Sequence, residues 1–235
     1  MKDNDIERYA RQMLLPGFGE EGQRRLLASS ALVVGLGGLG CPAALYLTGA
    51  GVGRIGLCDP DAVSLNNLQR QTLYSEARVG TPKTKAARER LSALNSNVTF
   101  ELFPDGLTPV NAAEIVSRYD IVVDCCDNFA TRYLISDTCR TLRKPWVHGS
   151  IGEFRGQVAT FLPDAAAGYD DLYPDRAELV PRPAASGGVL GALPGVVGAI
   201  EAAEAIKALL GMEGTLAGRL LTIDLSTMTF NTLTL

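Results

Sequence analysis

Ser30-Ala31-Leu32-Val33-Val34-Gly35-Leu36-Gly37-Gly38-Leu39-Gly40 is the stretch on which the reading of this chain turns. Its first five residues form an apolar run that stops at glycine, the pattern of a short buried strand. The next six fit G-x-G-x-x-G, which after a strand and before a helix makes a turn tight enough to bring a phosphate onto backbone. Residues 42–51 then read as a helix and 54–58 as a second strand. Strand, glycine turn, helix and strand make one βαβ unit.

The alternation extends in both directions. Upstream, Ile6, Tyr9, Ala10 and Met13 fall on one helical stripe, and a second helix covers 20–27, so that 1–28 is a pair of N-terminal helices. Downstream, Ala87, Leu91 and Leu94 mark a helix, 98–102 a strand, 111–117 a helix, 120–124 a strand, 131–142 a helix and 146–148 a strand. Repeated βα units imply an α/β fold, a Rossmann-like, doubly wound and mostly parallel sheet with helices on both faces. From Gly156 the period changes: Val158, Thr160 and Leu162 alternate as in an antiparallel extension, and 219–224 with 228–233 read as a closing hairpin. A helix over 196–210 stops at Gly211. Between them 162–187, rich in proline, alanine and aspartate, is expected to be a long flexible crossover loop. With no repeat or linker, 1–235 reads as a single domain.

Composition narrows the function. Twenty-two basic residues stand against 26 acidic ones, a net charge of −4, which argues against a surface that coats nucleic acid. The N-terminus alternates in charge and lacks a signal peptide's apolar core. The most apolar stretch, 187–200, holds Pro194, runs into Glu201 and is too short to cross a bilayer. Five cysteines, odd in number and without a C-x-x-C pair, point to no disulfide framework and no structural zinc. The expected setting is the cytoplasm, with neither membrane nor nucleic acid as partner.

Gly35, Gly37, Gly38 and Gly40 are the candidate phosphate turn, and Asp59, at the end of the next strand, can accept hydrogen bonds from ribose hydroxyls. These residues say nucleotide without separating NAD, FAD and ATP. Asn66, Asn67, Arg70 and then Lys83 follow Asp59. A dinucleotide fold has little use for such a set there, whereas cleavage between α- and β-phosphates builds charge on departing pyrophosphate that guanidinium and ammonium groups stabilise. Asp127 and Asn128 follow another strand of the same sheet, which places them at the same crevice. Asp127 suits Mg²⁺, which binds through one or two carboxylates plus phosphates, and Asn128 suits a helix N-cap as well as the nucleotide. The single histidine, His148, reads as a structural strand residue.

With these motifs in order, and with Arg8-Tyr9-Ala10-Arg11-Gln12, 80–83, 188–191 and 201–207, the chain resembles the ThiF/MoeB/HesA family of ubiquitin-activating-like adenylyltransferases. The resemblance implies ATP-dependent adenylation of the C-terminal glycine of a small ubiquitin-like sulfur-carrier protein ending in Gly-Gly, as in thiamin or molybdopterin sulfur transfer. It places Gly38 at the phosphates, Asp59 at the ribose, Asn67, Arg70 and Lys83 on the triphosphate, Asp127 at Mg²⁺ and Asn128 near the nucleotide. It also implies a homodimer in which Arg11 crosses the two-fold into the neighbour's site.

Two departures stand out. Where many relatives carry a first zinc-binding C-x-x-C pair this chain reads Gly168-Tyr169-Asp170-Asp171, and no second pair follows, so zinc is expected to be absent. The position of a cysteine used by some relatives is Ala184, which argues against a covalent intermediate there. Three alternatives remain: another carboxylate or peptide substrate, a non-catalytic scaffold for nucleotide or a ubiquitin-like tail, and an NAD-linked oxidoreductase that leaves the Asn-Arg-Lys set unaccounted for.

Overall fold

A computed structural model describes residues 1, 3–165, 167–182 and 187–235. Eight strands form one sheet: β1 (Ser30–Val34), β2 (Arg54–Cys58), β3 (Thr99–Phe103), β4 (Ile121–Asp124), β5 (Trp146–Gly152), β6 (Arg155–Phe161), β7 (Arg219–Asp224) and β8 (Thr229–Thr234). Their order is β3-β2-β1-β4-β5-β6-β7-β8. The first five in that order pair in parallel, and β6, β7 and β8 are added antiparallel. The expected doubly wound sheet with an antiparallel extension is what the chain forms.

Strand alternation explains how both faces are covered. Ala31, Val33, Ile121 and Val123 point into one core, while Leu32, Val34 and Val122 point into a second. On the first side pack α3 (Gly40–Ala50), α4 (Lys83–Leu94) and α9 (Ala192–Leu210). On the other lie α5 (Ala112–Ser117) and α6 (Phe129–Leu142). Each strand of β1 and β4 is buried along its whole length, as a parallel sheet covered on both faces requires. The N-terminal helices α1 (Asp3–Met13) and α2 (Gly19–Ala28) are anchored by Tyr9, whose hydroxyl accepts from Asn95 Nδ2 at 2.8 Å.

Two segments differ from the sequence reading. The strand expected at 146–148 runs on through Gly149, Ser150 and Gly152 to become β5. A β-carbon at Gly149 would lie 2.3 Å from Glu201 Cδ, so a residue that looks like a strand breaker is there to let α9 approach. Within 162–187 the described residues hold two single-turn helices, α7 (Tyr169–Leu172) and α8 (Arg176–Leu179). Tyr169 is fully buried, and Tyr133 donates its hydroxyl to the Tyr173 carbonyl at 2.6 Å. One-turn helices leave no periodicity to read. Ala184 and Ser186 lie outside the described residues. Among those described, no helix is long and apolar enough to cross a membrane.

Candidate active site

The chain leaves β1 toward β2 on one side and returns from β3 to β4 on the other, so the loops after β1 and β4 part at the carboxyl end of the sheet. A cleft of about 1090 Å³ opens there, at the switch point where open α/β sheets bind ligands. Gly35 turns at φ +90°, and its N–H donates to the Cys58 carbonyl at 2.8 Å. A β-carbon on Gly35 would sit 2.6 Å from the Cys125 carbonyl oxygen, and one on Gly40 1.9 Å from the Gly35 carbonyl oxygen. These two glycines bring the turn, β4 and the start of α3 into contact. Gly37 and Gly38 present bare backbone to the cleft.

The next wall comes from β2. Asp59 is buried, its carboxylate accepting from the Leu36 N–H at 2.6 Å and the Asp61 N–H at 2.8 Å. Burial pushes its pKa up, against the pull of Lys83 and these two donors. Lys83, also buried, sets its ammonium 2.8 Å from Asp61 and 3.6 Å from Asp59. The main chain holds this arrangement too, since the Lys83 N–H donates to the Asp61 carbonyl at 2.9 Å. Arg70 lines the cleft, its guanidinium 3.3 Å from the Asn66 carbonyl. Asn66 and Asn67 occupy a 3₁₀ turn, Leu65–Asn67, which shapes the loop carrying Arg70; neither side chain is among those lining the cleft.

Beyond β4, Asp127 is exposed in the cleft and Asn128 caps α6, its Oδ1 accepting from the Thr131 N–H at 2.9 Å. Beneath them lies a buried polar cluster. Asp124 meets His148 Nδ1 at 2.8 Å and accepts from Cys126 Sγ at 2.6 Å, while Arg132 donates to the Cys126 carbonyl at 2.9 Å. Burial holds the His148 pKa below the ordinary histidine value despite Asp124. Cys125 faces Glu201 at 3.5 Å, and burial, helped by that carboxyl and by Asp124, drives its pKa well up. A thiol kept protonated in this way is a poor nucleophile.

The structure therefore brings Gly35, Gly37, Gly38, Asp59, Arg70, Lys83, Asp127 and Asn128 to one cleft. Gly40 acts behind the turn, and Arg11, exposed on α1, does not reach the cleft of its own chain. Asp61, Gln71 and Arg132 line it without having been singled out from the sequence. Gln71 is buried with an unpartnered Oε1, a signal that burial alone reveals. The donor set suits Mg²⁺ held by one carboxylate and substrate phosphates. Among the described residues no group of three or more His, Cys, Asp or Glu side chains is placed to hold a metal.

Comparison with known proteins identifies relatives of this chain. A Thermus thermophilus protein named sulfur carrier protein adenylyltransferase is 48% identical over 98% of this chain and 87% of its own length. An Aedes aegypti protein named adenylyltransferase and sulfurtransferase MOCS3 is 47% identical over 100% of this chain; against that group of relatives the chain spans about half their length, 54% in this case. Among solved structures, PaaA superposes with a TM-score of 0.84 over 100% of this chain and 74% of its own at 24% identity. E. coli MccB crystallised with ATP superposes with a TM-score of 0.81 over 99% and 72%, at 20% identity. These two share the fold. The ThiF family profile matches residues 9–235; with the glycine turn, Asp59, Arg70, Lys83 and Asp127 in one cleft, this chain belongs to the ThiF family.

Proposed function

We propose that this chain is an ATP-dependent adenylyltransferase. It joins the α-phosphate of ATP to the C-terminal glycine carboxylate of a small ubiquitin-like sulfur-carrier protein and releases pyrophosphate. The observation that carries this reading is the convergence of two cations, Arg70 and Lys83, and one exposed carboxylate, Asp127, on a cleft floored by a glycine turn. The name of the Thermus thermophilus relative supports the same substrate class. A hydride-transferring dehydrogenase would need none of those three charged groups beside its ribose carboxylate.

The chemistry asks little of acids and bases. A carboxylate is already ionised at neutral pH, and the barrier lies in bringing one anion onto another. Backbone amides of the glycine turn, at the N-terminus of α3, receive the phosphates. Asp59, held by two N–H groups, presents its carboxylate to the ribose. Lys83 exchanges Asp61 for a phosphate, and Arg70 screens the charge that grows on the leaving pyrophosphate. Asp127 would hold Mg²⁺, which when bound supplies charge neutralisation at the phosphates. The cleft fixes the two reactants in line, the main contribution a positioned site makes to phosphoryl-group chemistry. Arg11, absent from its own cleft, acts on a partner's cleft across a two-fold in a homodimer. The five cysteines, unpaired and buried, suit a reducing cytoplasm.

Exchange of labelled pyrophosphate into ATP, with and without a carrier ending in Gly-Gly, tests the reading. Carrier-dependent exchange supports it. Nucleotide binding with no exchange for any such carrier would overturn it in favour of a scaffold.

A further inference from the structure

His148 is the chain's one histidine, it is fully buried on β5, and the chemistry above gives it no task. Its position is nevertheless specific. In the parallel pairing of β4 with β5, Asp124 lies directly across from His148, and the two side chains meet at 2.8 Å. The geometry points to His148 as a positioning residue for Asp127, acting through Asp124 and the Cys126 peptide; this rests on the proposed adenylation site.

The link can be followed atom by atom. Among the described residues the Asp127 carboxylate has one hydrogen bond, a long one at 3.5 Å from Asn128 Nδ2, so the backbone leading into it sets its place. That backbone is gripped on both sides. The Cys126 N–H and thiol both donate to Asp124 Oδ1, at 3.2 and 2.6 Å. The Cys126 carbonyl accepts from Arg132 Nη2 at 2.9 Å. Asp124 turns Oδ1 to Cys126 while Oδ2 faces its close partner, His148 Nδ1, at 2.8 Å. Since a carboxylate accepts, Nδ1 carries the ring proton.

The ring itself cannot turn away. It is wedged edge-on against Trp146, Tyr169 and Tyr173, with centroids 6.1, 5.1 and 6.2 Å away. Arg132 explains why losing the donor would be felt in the cleft. Among the described residues its Nε has no hydrogen-bond partner, and it stands 3.9 Å from Asp124 Oδ2. With His148 gone, the buried carboxylate would draw the guanidinium in, and the Cys126 carbonyl would lose its donor. The peptide before Asp127 would then be free to shift.

Two variants separate this role from mere packing. His148→Asn keeps an N–H near the Nδ1 position, whereas His148→Leu fills the space without a donor. Pyrophosphate exchange, Mg²⁺-dependent ATP binding by calorimetry, and melting temperature are measured on both, and on Asp127→Ala with and without His148→Leu. The expected result is that His148→Leu lowers exchange kcat and the Mg²⁺-dependent part of ATP affinity by about 10- to 100-fold, the scale seen when a residue behind a metal ligand is lost. His148→Asn recovers most of both. In the double variant His148→Leu adds nothing to Asp127→Ala, because it acts through that residue.

Wild-type behaviour of a folded His148→Leu, losses that multiply in the double variant, or His148→Asn as impaired as His148→Leu would overturn the proposal. Should His148→Leu not fold, His148→Gln, whose amide reaches toward Nε2 instead, replaces it, and parity of His148→Gln with His148→Asn overturns the proposal as well. The calorimetric arm separates the two readings. Coupling of His148 to Asp127 in Mg²⁺-dependent binding stands even if no carrier supports exchange, whereas failure of exchange alone sinks the adenylation reading.

Discussion

Arg70 and Asp127 enter the cleft from loops on different sides of the switch point, and in the proposed reaction each meets charge that grows as pyrophosphate departs. Arg70→Ala and Asp127→Ala are each expected to lower pyrophosphate exchange by about a hundredfold or more, the cost of removing one charge-stabilising group. Near-normal exchange in both would remove the site assignment. Glu201 belongs to the same scale but acts on stability. Burial, reinforced by Asp124, raises its pKa well above the ordinary 4.5. The folded chain therefore binds this proton more tightly than the unfolded one. Stability from it is complete below the unfolded value and is lost as pH rises toward the folded value. Glu201→Gln keeps the shape and removes the titration, so its denaturation midpoints should fall less steeply than the wild type's from mildly acidic to alkaline pH. Parallel curves for the two proteins would contradict the raised pKa of Glu201.

At the scale of elements, Asn128 shows how one side chain ends a loop and begins a helix. Its Oδ1 accepts from the Thr131 N–H at 2.9 Å, which satisfies a donor that α6 leaves open. Asn128→Ala is expected to cost about 1 kcal/mol in chemical denaturation, and an unchanged midpoint would deny the cap. Much of this level was legible in the sequence. β1 and β2 begin and end where the apolar runs do, and the glycine turn with Asp59 was readable because each residue answers to a local constraint. Other features were not legible. Gly149 hides the length of β5, because its smallness serves a neighbour on another element. The pairing of Asp124 with His148 depends on strand order, which spacing along the chain does not encode. Asn66 and Asn67 were read as ligands; the structure shows the 3₁₀ turn they form beside the cleft, which their type alone did not reveal.

The whole molecule sets its cleft between segments that are far apart in the chain. Arg11 extends that principle across molecules in the proposed homodimer. Arg11→Ala and Asp127→Ala variants, each weak alone, should on mixing regain roughly a quarter of wild-type exchange, because half the dimers are mixed and each holds one intact composite cleft. No recovery after demonstrated subunit mixing would place Arg11 outside the reaction. The same arrangement bears on how the protein would meet the proposed nucleotide. Backbone from 35–38, carboxylates from 59–61 and the 124–128 turn come together only when the parallel strands have found their order. The first half of the polypeptide carries the glycine turn, Asp59, Arg70 and Lys83 but not the 125–128 wall, so on the proposed function neither half alone completes the cleft. On the proposed function, nucleotide binding thus doubles as a certificate that the whole sheet is in place, and excess ATP should raise the melting temperature in proportion to the logarithm of its concentration.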